Sequence, residues 1–128
     1  MRRSGFTLIE LLVVMAIIAT LLTIASPRYF GSVERSKENT LRQSLAVMRD
    51  AIDKFYGDNG QYPQSLAELA ERRYLRAIPV DPVTGSADTW TTVPPPDRSG
   101  TERPKGEVYD VHSGAAGHAA GGADFGTL

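Results

Sequence analysis

Gly5-Phe6-Thr7-Leu8-Ile9-Glu10, with the apolar run that follows it to Ser26-Pro27-Arg28, is the stretch from which the rest of the chain is read. Phe6 to Ser26 is 21 residues, about 31 Å of α-helix at ~1.5 Å per residue. A bilayer's hydrocarbon core is roughly 30 Å thick. Glu10 is the one charge in the run. An ionised side chain inside such a helix costs roughly 2.5–3.5 kcal/mol on insertion scales, so it normally has a partner. No Lys or Arg lies between Thr7 and Pro27, and Arg2 and Arg3 stand at the extreme end of the chain. Cutting between Gly5 and Phe6 would create a partner. The new α-amino group stands at i and Glu10 at i+4, on one helix face. The same amine can instead meet the Glu10 of a neighbouring molecule when the helices pack side by side.

Two plainer readings compete. A secretory signal peptide has a basic start, an apolar core and a small-residue cleavage site. Thr23-Ile24-Ala25 is a poor version of that site, and Glu10 interrupts the core. A simple membrane anchor would exclude Glu10 and has no need of a Gly-Phe junction. Arg2-Arg3 suggests a twin-arginine signal, but the residues after it do not fit one.

The short basic leader, the Gly5-Phe6 junction, Glu10 and Pro27 together resemble the class III leader of type IV pilins and of the pseudopilins of type II secretion. The resemblance implies cleavage after Gly5 by a prepilin peptidase, N-methylation of Phe6, and assembly through Glu10 and the apolar helix into a filament core. Pro27 stands where these proteins usually carry a proline. A second, looser match runs from Asn59-Gly60-Gln61-Tyr62-Pro63 through Leu66, Leu69 and Tyr74-Leu75 to Ile78-Pro79-Val80-Asp81-Pro82. It resembles the αβ-loop of the major pseudopilin branch. The chain has no cysteine. It therefore lacks the C-terminal disulfide of many type IV pilins, which again favours the pseudopilin branch.

With 128 residues the chain allows one domain. Removing the membrane segment leaves about a hundred residues, enough for one modest core. The formal charge is −1, and without Arg2 and Arg3 there are 12 basic to 15 acidic side chains. No basic face for nucleic acid is present. The reading divides the chain into a leader, residues 1–5, a transmembrane and assembly helix, residues 6–26, and an exported domain, residues 27–128.

Beyond Pro27 the helical period continues. Leu41, Leu45, Met48, Ile52 and Phe55 fall three and four apart, one apolar stripe. Pro27 need not end a helix in a membrane setting. One helix is predicted from about Phe6 to about Tyr56, stopped by Gly57-Asp58-Asn59-Gly60. Ser65 and Glu68 form a capping-box pattern and predict a short helix over residues 65–73 with Leu66, Leu69 and Ala70 inward. Asp81-Pro82 and Thr84-Gly85 read as turns. Residues 88–93 and 107–112 read as strands, the second with Val108 and Asp110 on one face and Tyr109 and Val111 on the other. Between them lies a polar, proline-rich loop. Residues 114–128, rich in Gly and Ala, read as loops with a short pairing near Phe125. Two strands need a cover on their apolar face, and the Leu41–Phe55 stripe supplies it. The expected fold is α+β: a long N-terminal helix packed on a small antiparallel sheet, a pilin-like roll.

Catalysis finds little support. His112 and His118 are the only histidines and read as solvated. Asp81, Asp88, Asp110 and Asp124 read as turn and surface carboxylates, and Gly121-Gly122 lies outside any strand-to-helix phosphate loop. No cofactor is expected, with one qualification carried by the resemblance. Major pseudopilins often bind calcium after a strand containing Tyr-Asp-x-x-Ser, which Tyr109-Asp110-Val111-His112-Ser113 matches. Ser113 and Asp124 are the candidate ligands, although the family's usual acid falls here on Ala116. The resemblance implies a structural, non-enzymatic subunit of the type II secretion pseudopilus, which drives protein export across the outer membrane. It is held in the bacterial inner membrane with its domain in the periplasm. Its implied partners are further copies of itself, other pseudopilins, prepilin peptidase, and an assembly platform with its ATPase. A type IV or competence pilin, serving adhesion, motility or DNA uptake, is the alternative. A membrane-anchored enzyme or binding module is a third reading, one that predicts neither cleavage nor self-assembly.

Overall fold

The computed structural model describes residues 4–128. Its elements in chain order are α1 (Leu8–Asn59), α2 (Leu66–Glu71), β1 (Trp90–Val93), β2 (Asp110–Ser113) and a terminal 3-10 helix, Phe125–Thr127. The chain divides into an N-terminal unit ending at Glu34 and a second unit, Arg35–Leu128.

In the first unit α1 begins two residues later than the apolar pattern suggests. Thr7 caps it. The Thr7 hydroxyl accepts from the Glu10 amide at 3.2 Å, and the Thr7 carbonyl accepts from Leu11 N at 3.2 Å. Pro27 lies inside the helix, as expected. Lacking an N–H, it cannot bond the carbonyl four residues back. Thr20 and Thr23 turn their hydroxyls onto the carbonyls of Ala16 and Ala19, each at 2.8 Å. This satisfies their polar atoms inside the apolar run without help from solvent.

In the second unit α1 presents the predicted stripe. Leu41, Leu45, Met48, Ile52 and Phe55 are all buried, joined by Ala51. They share one core with Leu66, Leu69, Leu75, Trp90, Val108, Val111, Ala119 and Phe125. Each large side chain so buried stabilises the fold by roughly 1.5–3 kcal/mol, and this drives the sheet and its loops onto the helix. The opposite face carries the solvent-exposed i,i+4 pair Asp50–Lys54, 2.8 Å apart, and a pair so exposed contributes little to stability.

Helix α2 is shorter than its capping signal implied, Leu66–Glu71 against residues 65–73. Ser65 caps it, its hydroxyl accepting from Glu68 N at 3.3 Å. The Glu68 carboxylate reaches one residue further back than a capping box requires, to Gln64 N at 2.7 Å. Arg73 ends the turn at φ 63, the one non-glycine residue with positive φ among those described. Leu66 and Leu69 are buried as expected, while Ala70 is half-buried.

The sheet has two antiparallel strands in the register Trp90↔Ser113, Thr91↔His112, Thr92↔Val111 and Val93↔Asp110. Both strands are shorter than predicted, because neighbouring polar groups capture the backbone first. Asp88 N donates to the Ser86 hydroxyl at 3.1 Å, and Thr84 and Thr89 share a hydroxyl bond at 2.6 Å, which keeps this end as a turn. On the other side Glu107 N and Val108 N both donate to Pro63 O, at 3.1 and 2.9 Å, instead of to β1. The expected alternation therefore fails at its start. Val108 and Val111 both enter the core, three residues apart, while Asp110 is half-buried.

The proline-rich loop, residues 94–106, is held at both feet. Tyr109 N donates to Val93 O and Tyr62 N donates to Lys105 O, each at 2.8 Å. At the second foot Gly106 takes φ +110, and a Cβ there would stand 2.2 Å from Tyr62 O, so only glycine fits. In the tail, His118 and Asp124 form an isolated bridge before the terminal 3-10 turn. Ala119 and Phe125 from this segment are buried in the core.

Candidate functional site: the N-terminal assembly segment

Glu10 sits in the first turn of α1, where a carboxylate is favoured by the partial positive charge of the helix N-terminus. Together with Ser4, Gly5 and Phe6 it lines a shallow concavity of about 240 Å³. The Gly5–Phe6 bond and the acid thus share one small surface. Phe6 precedes the helix, so in the uncut chain Phe6 N and Glu10 are not successive rungs of one helical face. Met1, Arg2 and Arg3 of the expected leader lie outside the described residues.

From Phe6 to Ile24 every large apolar side chain is exposed, from 45% at Val14 to 86% at Phe6. A helix that is apolar around its whole circumference requires an apolar surrounding, lipid or protein. Helix α1 is long and apolar enough in this part to cross a membrane.

The second unit concentrates its polar geometry at three places. Asp81 is fully buried. Its Oδ1 accepts from Val83 N at 2.8 Å and Thr84 N at 3.4 Å, and its Oδ2 accepts from the Ser113 hydroxyl. This carboxylate pins the loop before β1 to the end of β2. Arg49, on α1, donates to Asp110 Oδ1 at 2.7 Å and to the carbonyls of Val111 and Leu128, each at 2.9 Å. It fastens β2 and the tail to the helix. Finally, Tyr56 stacks on Tyr62, centroids 4.4 Å apart, and Tyr109 meets Tyr62 edge-on at 5.2 Å. With Arg98, Glu102 and Pro104 they line a cleft of about 420 Å³. Burial, then the neighbouring Tyr109 and Tyr56, raise the Tyr62 phenol above its ordinary range. A hydrogen bond to Asp58, 2.7 Å long, does the same for Tyr74.

The model for the prokaryotic N-terminal methylation motif matches residues 1–26. The type II secretion system core protein G of Klebsiella pneumoniae is 30% identical over 97 residues, a match spanning 63% of this chain and 69% of that protein. The chain belongs to the type II secretion core protein G family. The Escherichia coli K12 core protein G is 28% identical over 97 residues, covering 63% of this chain and 67% of its own length. The type IV major pilin protein PilA of Myxococcus xanthus is 35% identical over 68 residues, covering 53% of this chain and 31% of the pilin. No solved structure matches the chain.

For a core protein G, the calcium ligands expected at Ser113 and Asp124 form a poor cage. The Ser113 side chain is buried, its hydroxyl donating to Asp81 and accepting from Ala115 N at 3.1 Å. Asp124 Oδ1 accepts from Gly126 N at 3.0 Å and caps the terminal 3-10 turn. Calcium takes six to eight oxygens, carboxylates among them, and Ala116 supplies none. Among the described residues no three His, Asp or Glu side chains gather into a metal-binding group. The residues present do not fit the ion. Calorimetric titration of the full chain in detergent with calcium is expected to give no saturable heat and no rise in Tm. Either one would reinstate the site.

Sequence reasoning overlooked three of these groups. Thr7 was legible, since Thr7-x-x-Glu10 has capping-box spacing. Asp81 gave only its turn signal, because its partner Ser113 lies 32 residues away. Arg49 reads as one more charge on the solvent face of α1, because its partners come from β2 and the chain's last residue.

Proposed function

We propose that this core protein G is a structural subunit of a type II secretion pseudopilus, with no catalytic role of its own. The observation that carries the reading is Glu10: a lone carboxylate in an apolar, exposed helix, five residues after a Gly-Phe junction. On this reading prepilin peptidase removes residues 1–5 and methylates the Phe6 amine. Residues 6–26 hold the chain in the bacterial inner membrane, and residues 27–128 form the periplasmic domain. An ATPase and its membrane platform draw the helices from lipid into a stack of identical helices, with other pseudopilins among them. The apolar surface stays out of water throughout, so the transfer forfeits little hydrophobic free energy. Glu10 meets the Phe6 amine of an adjacent subunit. Unit charges about 4 Å apart attract by about 4 kcal/mol at an effective dielectric of 20, enough to offset the roughly 2.5–3.5 kcal/mol of placing the acid in lipid. Pro27, at the end of the run, leaves one carbonyl without its helical donor and so gives α1 a point at which to bend as the stack forms. The growing filament pushes exported protein through the outer membrane.

The similarity to the Myxococcus pilin supports a second reading, a type IV or competence pilin used for adhesion, motility or DNA uptake. That match covers only 31% of the pilin, whereas the core protein G matches span about two thirds of theirs.

Intact-mass analysis of the chain recovered from cells that contain prepilin peptidase tests the processing. The expected species begins at Phe6 and carries one added methyl group. Protein still beginning at Met1 in those cells would remove the basis of the proposal.

A further inference from the structure

Immediately after Pro27 the chain reads Arg28-Tyr29-Phe30, and then turns polar with Gly31 and Ser32. Tyr29 and Phe30 are 67% and 64% exposed, and their rings meet edge-on at 5.9 Å. Both lie within α1 and within the first unit. We propose that Arg28, Tyr29 and Phe30 form an interfacial collar that seats in the lipid headgroup layer at the C-terminal end of the span. The proposal rests on the reading of residues 6–26 as membrane-embedded, and adds a depth-setting device to it.

Three physical points select lipid over a protein partner for these side chains. The first is position. Tyr29 and Phe30 follow Ser26 by three and four residues, about 4.5–6 Å along the axis. The headgroup layer adds roughly 5–7 Å on each side of the hydrocarbon. The second is direction. Helical side chains slope toward the helix N-terminus, so both rings lean back onto the acyl boundary, where amphipathic aromatics concentrate. The Tyr29 phenol supplies a polar tip for the wet side, and Arg28 has a stem long enough to bring its guanidinium to lipid phosphate. The third is angular spread. Consecutive helix positions stand about 100° apart, so the three side chains fan over about 200° of the circumference. A docking helix is met by side chains three and four apart on one stripe. A fan of neighbours suits a medium that surrounds the helix. No charge other than Glu10 lies between Phe6 and Arg28, so nothing else within the run fixes its depth at this end.

The absence of cysteine makes the test direct. Single cysteines at Ile17, Ser32 and Lys37 of the full chain carry nitroxides, in dilute vesicles of phosphatidylethanolamine and phosphatidylglycerol. Collision with oxygen and with a water-soluble nickel chelate reports depth. With the aromatic pair intact, residue 17 should be accessible to oxygen alone, residue 32 to both, and residue 37 mainly to nickel. In Tyr29→Ala/Phe30→Ala, residue 17 should keep its depth class, while residue 32 gains nickel accessibility at least twofold. An unchanged residue 32 in the double variant overturns the collar and leaves the span reading intact. Nickel-accessible residue 17 in the unaltered chain overturns both. If the double variant changes residue 32 only at high protein-to-lipid ratio, with spin–spin broadening, the pair is a contact between copies and the lipid assignment is wrong.

Discussion

Replacing Glu10 by leucine is expected to leave the chain in the membrane and to abolish filaments. Insertion should be as efficient as before or better, because the substitution deletes the roughly 2.5–3.5 kcal/mol of placing an ionised side chain in the span. Helix α1 should be almost untouched. The acid's favourable interaction with the helix N-terminus is worth about 0.3–1 kcal/mol, and the Thr7 hydroxyl still receives the amide of residue 10. On the assembly proposed above, what is lost is the partner of the Phe6 amine. A charged amine left unpaired among apolar helices carries a penalty of several kcal/mol, repeated at every subunit, so filament yield should fall at least tenfold. Glu10→Gln separates charge from shape. It keeps the volume and a hydrogen-bond acceptor but leaves the amine uncompensated, and should fail nearly as badly. The readouts are membrane fractionation, intact mass to establish processing, and electron microscopy of sheared filaments. Filaments of wild-type number and spacing from Glu10→Leu would show that the acid has no part in assembly.

The second large effect lies in the unit Arg35–Leu128. Asp81→Ala should lower its stability by about 3 kcal/mol, or roughly 12–24 °C in Tm for a domain of this size. The carboxylate is itself fully buried and accepts two backbone amides and the Ser113 hydroxyl. Its removal takes the acceptor from three donors, of which the buried Ser113 hydroxyl is the one most shut off from water. Ser113→Ala removes only one partner and leaves the carboxylate's Oδ2 bare, a cost of about 1.5–3 kcal/mol. Because both substitutions break one link, the double variant should be less destabilised than the sum of the singles. Single variants that each cost under about 1 kcal/mol, with additive effects, would mean that the pair does not hold the pre-β1 loop to the sheet. Thermal unfolding followed by near-UV circular dichroism reports on the core through Trp90, whose indole N–H donates to Pro79 O within the same loop.

These two residues also mark how far the chain was legible before its structure. Glu10 could be read because its anomaly is local: a charge where the surrounding residues are apolar needs no knowledge of the fold. The stripe Leu41–Phe55 could be read for the same reason, since its period lies within one helix. Asp81 could not, because its significance comes from a hydroxyl contributed by another element. The strand limits failed in a related way. Residues 107 and 108 alternate like a strand, but the carbonyl of Pro63 draws both amides away from β1, and no pattern internal to the strand records that competitor. Calcium was suggested by a motif that places Ser113 near a loop acid. In the fold the hydroxyl already has a partner, and the acid already caps a turn.

The two latches beneath the proline-rich loop, Val93 to Tyr109 and Lys105 to Tyr62, have a consequence for how this lineage can vary and be engineered. Closing a longer segment between fixed feet costs only about 0.6 kcal/mol for each doubling of its length. Residues 97–103 are all exposed, so the core is indifferent to what they spell. Duplications, epitope tags or recognition peptides spliced there would ride on the scaffold as passengers, while Gly106 admits no side chain at all.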